Sequence, residues 1–95
     1  MTKWEKRAPL EKSIERKGSN YAVKCGWIEF KVTSSTANGF PDRFYARDGV
    51  ILLVEWKRPD EEPTVQQLKR HRELREHGVT VHWVCDIEHA ERLFY

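Results

Sequence analysis

Little in this chain points to the outside of a cell. Its 95 residues contain two cysteines, Cys25 and Cys85. Two thiols cannot build a disulfide framework, so free thiols in a reducing cytoplasm are expected. No apolar run approaches the ~20 residues that a helix needs to span a bilayer. The opening Met1-Thr2-Lys3-Trp4-Glu5-Lys6-Arg7 is charged and holds no apolar signal core, which argues against secretion. His71, His82, His89 and Cys85 do not fall at a zinc-site spacing. A strong excess of one charge is missing too. The net charge is +2 although 34% of residues are charged, so the total does not announce a nucleic-acid binder. Repeats, linkers and low-complexity tracts are absent, and the length suits one domain over residues 1–95.

The distribution of charge says more than its sum. Lys3, Lys6, Arg7, Lys12, Arg16, Lys17 and Lys24 crowd the first quarter, and Lys69, Arg70, Arg72 and Arg75 load one later segment. Such runs are commonly solvated faces, and they are also compatible with phosphate contacts. Between them lie two strand-like runs, Phe40–Arg47 and Val50–Lys57, separated by Asp48-Gly49. That dipeptide is a strong hairpin signal. With Asp48 and Gly49 as the loop, Arg47 pairs with Val50, and counting outward puts Asp42 opposite Glu55. Opposed residues share a face, with Cβ atoms roughly 4.5–5.5 Å apart. Lys57, two residues beyond Glu55, shares that face. Two opposed carboxylates repel unless something sits between them, and a divalent cation is the simplest candidate.

The rest of the chain supplies a scaffold. A helix is expected from about residue 9 to 24, with Pro9 in its first turn, an apolar stripe of Ile14, Tyr21, Ala22 and Cys25, and a weak middle at Gly18-Ser19-Asn20. Trp27–Val32 alternates like a strand. Val50–Val54 is apolar on both faces, as in a strand covered on both sides. Thr64 can cap a helix to about His77, with Leu68 and Leu74 toward the sheet and Gln67 near the helix start on the same face as His71. Val79–Cys85 reads as another strand, and Asp86 can cap a final helix through Leu93. The strand–helix–strand step predicts a parallel crossover. The expected fold is α/β, an αβββαβ core whose mixed sheet is flanked by helices.

Pro41-Asp42 followed by Glu55-Trp56-Lys57 resembles the PD-(D/E)XK nuclease signature. Gly39-Phe40-Pro41-Asp42-Arg43, the Glu55-x-Lys57 strand, Gln67, Leu74 and Gly78 together resemble the virus-type replication-repair nuclease family, VRR-NUC, from Leu10 to about Val84. Stand-alone members of this length are typically phage-encoded. The resemblance implies a restriction-endonuclease-like fold. It implies Mg²⁺ or Mn²⁺ bound by Asp42 and Glu55, with the carbonyl of Trp56 as a third oxygen. Lys57 would orient the attacking water, and a glutamate of the first helix would join the site, Glu11 in first place and Glu15 as the alternative. Gln67 would stand near the centre. The implied activity is metal-dependent endonucleolytic hydrolysis of DNA, branched DNA such as Holliday junctions above all. Symmetric cutting of two strands calls for a two-fold homodimer. The competing reading is a nucleic-acid-binding module on the same scaffold that does not cut. Blander readings are solvent-facing hairpin ends for Asp42 and Glu55 with Lys57 as a surface pair, helix-surface positions for Glu11, Glu15 and Gln67, and core or interface packing for Trp4, Trp27, Trp56 and Trp83.

Overall fold

A computed structural model describes residues 11–33 and 39–95. The elements run α1 (Glu11–Lys24), β1 (Ile28–Lys31), β2 (Arg43–Arg47), β3 (Val50–Trp56), α2 (Val65–Glu76), β4 (Val81–Val84) and α3 (Ile87–Phe94). One sheet has the order β1-β2-β3-β4. β1 and β3 flank β2 antiparallel, and β4 adds to β3 in parallel. Arg47 pairs with Val50 as the turn chemistry predicts. Asp48 and Gly49 take left-handed φ values of 49° and 82°, the geometry of a type I′ turn.

One sheet face packs on α1 and α3 around Ile14, Ala22, Tyr45, Val54, Trp56, Val84, Ala90 and Phe94. Several polar atoms inside it pair with one another, whereas Glu29 Oε2, opposite Tyr45, is buried without a hydrogen-bond partner among the described residues. Ser19 Oγ and Tyr45 Oη lie 2.6 Å apart, and Trp56 Nε1 donates to Tyr45 Oη at 3.3 Å. Trp27 Nε1 donates to the Phe94 carbonyl at 2.8 Å. These bonds explain why α1 runs unbroken through the stretch expected to weaken it. Gly18 leaves room for the Trp56 ring, because a Cβ there would stand 2.6 Å from Trp56 Cζ3. Ser19 uses its hydroxyl on Tyr45. Packing therefore outweighs the low helix propensity of both residues.

The opposite face departs from expectation. β3 is not covered on both sides along its length: Val50 and Ile51 are exposed, Ile51 at 61%, and only Val54-Glu55-Trp56 is buried. The reason is that α2 lies over β4 rather than over the middle of the sheet. Ile28 and Phe30 of β1 stay open on the same account. Leu74 lines the groove between α2 and the sheet with Phe44 and Leu53, whereas Leu68 is half exposed. Both predicted caps form. Thr64 accepts from Gln67 N at 3.1 Å, and Asp86 accepts from His89 N at 2.7 Å, contacts worth ~1 kcal/mol each.

Candidate active site

The hairpin register carries past Arg43–Val54 to set Asp42 beside Glu55 and Trp56. Asp42 is anchored on both sides. Its carbonyl accepts from Val32 N at 2.9 Å, and its Oδ2 accepts from the Trp56 backbone N–H at 3.1 Å. Before it, Gly39 packs so closely on the backbone of Gln66 and Gln67 that an added Cβ would sit 2.7 Å from Gln67 N, and its φ is 81°. Only glycine suits that contact. The contact ties the loop carrying Asp42 to the start of α2.

Glu55 is 1% exposed. Its carboxyl is pushed up from 4.5 to about 9, first by burial, then by the hydrogen bond and negative charge of Asp42; Lys57 opposes the rise. Lys57 follows β3, and its backbone N–H donates to Val84 O at 2.9 Å. Its Nζ stands 3.9 Å from Glu61 Oε2 and 5.6 Å from the centre of the Trp83 ring. Glu11 opens α1. Burial raises its carboxyl to about 7, helped by the hydrogen bond and charge of Glu61 and by the charge of Asp42. Asp42, Glu55, Lys57 and Glu11 therefore share one electrostatic neighbourhood. Glu15, one turn further on, is spent elsewhere: its Oε2 accepts from Arg43 Nε at 3.1 Å.

Gln67 differs from what the sequence suggested. Its Oε1 accepts from Thr64 N at 3.0 Å, closing a capping box at the start of α2. The T-x-x-Q spacing is itself a signal for that box. Two residues that sequence reasoning passed over stand close by. His71 Nε2 is 3.4 Å from Glu55 Oε1, and neither buried atom has a hydrogen-bond partner among the described residues. Burial is the main cause that lowers the His71 pKa. Glu61 accepts from Arg58 N at 2.8 Å, the main cause that lowers its own pKa, and faces Glu11 and Lys57. The shared helix face of Gln67 and His71 was the available sequence signal for the first; the acidic run after Lys57 was the signal for the second.

Two apposed carboxylates, one with a buried oxygen lacking a partner, fit a hard divalent cation. Among the described residues no cluster of three His, Cys, Asp or Glu donors is drawn together. A cation here would complete its shell with a backbone carbonyl, water and substrate oxygens, as Mg²⁺ commonly does.

No family model matches the chain. A curated relative from Acyrthosiphon pisum secondary endosymbiont phage 1, named "Putative nuclease p44", is 42% identical over 65 residues, which span 67% of this chain and 70% of the relative. A solved structure described as "VRR_NUC domain" matches with a TM-score of 0.78 at 25% identity, covering 87% of this chain and 91% of that one. This chain belongs to the VRR-NUC family. Its four-stranded mixed sheet flanked by helices is the VRR-NUC fold, and both matches support a nuclease as the class of activity. Among the described residues, no helix of this VRR-NUC chain is long and apolar enough to cross a membrane.

Proposed function

We propose that the chain is a Mg²⁺- or Mn²⁺-dependent endonuclease that hydrolyses phosphodiester bonds of DNA, with branched DNA such as Holliday junctions as its preferred substrate. The observation that carries this reading is the buried Glu55 carboxyl held against Asp42 with Lys57 beside it. Ionising a buried carboxyl beside a second carboxylate is costly without a compensating cation, and a nuclease of this kind needs such an ion. Asp42, Glu55 and the carbonyl of Trp56 would hold it, with Glu11 extending the acidic wall. When bound, the cation supplies polarisation of the phosphoryl oxygen and an acidified water.

The protein's own groups do the rest. Lys57, set beside the carboxylates, orients the attacking water and offsets charge that grows on the phosphate oxygens. Gln67 supports the centre indirectly, by fixing the start of α2 against Gly39 and so the loop of Asp42. Beside the centre, a groove lined by His71, Arg72, Arg75, Thr80 and Trp83 offers cations and an aromatic ring to a nucleic-acid strand. Arg72 and Arg75 would contact phosphates there, and binding would weaken with salt.

Two strands cut symmetrically require two such centres, which a two-fold dimer provides. The open face of Ile28, Phe30, Phe44 and Ile51 is the surface we assign to a second copy. It is apolar, as the centre of a stable interface is, and ill suited to DNA. The decisive assay compares wild type with Lys57→Ala on labelled linear duplex, flap and four-way junction, each with and without Mg²⁺. Mg²⁺-dependent products from wild type, most from the junction, would support the reading. DNA binding without products under any divalent ion would replace it with a non-cutting module.

A further inference from the structure

The encounter between His71 and Glu55 has no place in the mechanism above. It joins residues 16 positions apart, brought together only because α2 packs on β4, the parallel neighbour of β3. Both atoms are buried, and each lacks a hydrogen-bond partner among the described residues. Buried polar atoms in native proteins are nearly always bonded, so two unmatched atoms 3.4 Å apart mark a contact that a small side-chain rotation completes. The imidazole itself is held by packing: its ring stands edge-on to Trp83, with centroids 6.1 Å apart. Trp83 in turn pairs with Glu55 across the parallel strands. A histidine that merely filled space would not need its nitrogen aimed at a carboxylate.

We propose that His71 is a positioning residue for Glu55, donating from Nε2 to Glu55 Oε1 and so holding that carboxylate in the one orientation in which, with Asp42, it binds a divalent cation. This inference rests on the metal-binding role assigned to Asp42 and Glu55. Groups that orient a ligating carboxylate commonly contribute 10–100-fold to metal affinity. The donor is a neutral imidazole, so its effect does not depend on a charge at residue 71. Among the described residues, His71 is the group whose donor lies against this oxygen.

The test is direct Mn²⁺ binding without DNA, by calorimetry or by the electron paramagnetic resonance of free Mn²⁺, alongside thermal melting. His71→Gln places an amide N–H near the position of Nε2. His71→Asn is too short to reach, and His71→Leu keeps bulk without a donor. Wild type and His71→Gln should bind Mn²⁺ within a few-fold of each other, while His71→Asn and His71→Leu lose about 10–100-fold and melt as folded proteins. Should the leucine variant fail to fold, the comparison of glutamine with asparagine decides alone. Unchanged binding in the asparagine variant, or equal loss in glutamine and asparagine, overturns the inference while leaving the metal centre standing. Absent Mn²⁺ binding by wild type, or full binding by Asp42→Ala, overturns the metal centre itself and the role of His71 with it.

Discussion

Replacing Glu55 by glutamine should make the metal-free protein more stable, and the gain should depend on pH. The folded carboxyl titrates at about 9 against an ordinary 4.5. Between those values the folded state keeps a proton that the unfolded chain releases. The Glu55 contribution to stability is therefore greatest below 4.5, is lost progressively as pH rises, and levels off above about 9. At pH 7 the cost of holding that proton is about 3 kcal/mol, and water reaching the rim at Asp42 and Lys57 trims it to about 2 kcal/mol. Glutamine has the same shape and no charge, and it can bond both Asp42 and His71. For a domain of this size the gain corresponds to roughly 10 °C in melting temperature. Urea unfolding in chelator from pH 4.5 to 9 measures it. The stability difference between variant and wild type should be near zero at pH 4.5 and widen toward pH 8; taking the difference cancels the similar but smaller contribution of Glu11. Divalent cation should reverse the order, since ligand at 100 times its Kd stabilises wild type by about 2.7 kcal/mol and leaves the glutamine variant unmoved. A difference that is flat with pH, or a variant less stable at pH 8, would refute the claim that Glu55 is buried at a cost.

Other outcomes follow from named contacts. Asp42→Ala should abolish cleavage with the fold intact, checked by a junction-cleavage assay and circular dichroism on the same sample. Lys57→Ala should slow single-turnover cleavage by about 10²–10³-fold while Mn²⁺ binding persists. Gly18→Val should cost about 1–3 kcal/mol in urea unfolding, because its side chain would meet the Trp56 ring; a neutral result would mean that α1 and β3 are not packed as described. Ile51→Glu, on the open sheet face, should shift sedimentation from dimer to monomer without lowering melting temperature by more than a few degrees.

How much of this was legible beforehand depended on the range of each interaction. Asp48-Gly49 set the turn, the turn set the register, and the register placed Asp42 beside Glu55, all within fourteen residues. Thr64 and Asp86 capped their helices by bonding backbone three residues away. The capping use of Gln67 was equally local, and its spacing signalled it. Other features had no local cause. The helix survives Gly18-Ser19 only because Trp56 and Tyr45 wait on the far side of the core. The burial of Val50–Val54 was misjudged because an apolar strand does not state which of its faces a helix will cover. Glu15 separated from Glu11 only once Arg43 came within reach.

Sequence alone, then, determined the αβββαβ order, the turn, the caps and the pairing of two carboxylates, because backbone sterics and short-range hydrogen bonds act between near neighbours. Tertiary structure decided that Glu55 is sealed from water, that His71 meets it, and that a sheet face stays bare. Each of these depends on where α2 comes to rest, and that is settled by packing between residues far apart in the chain.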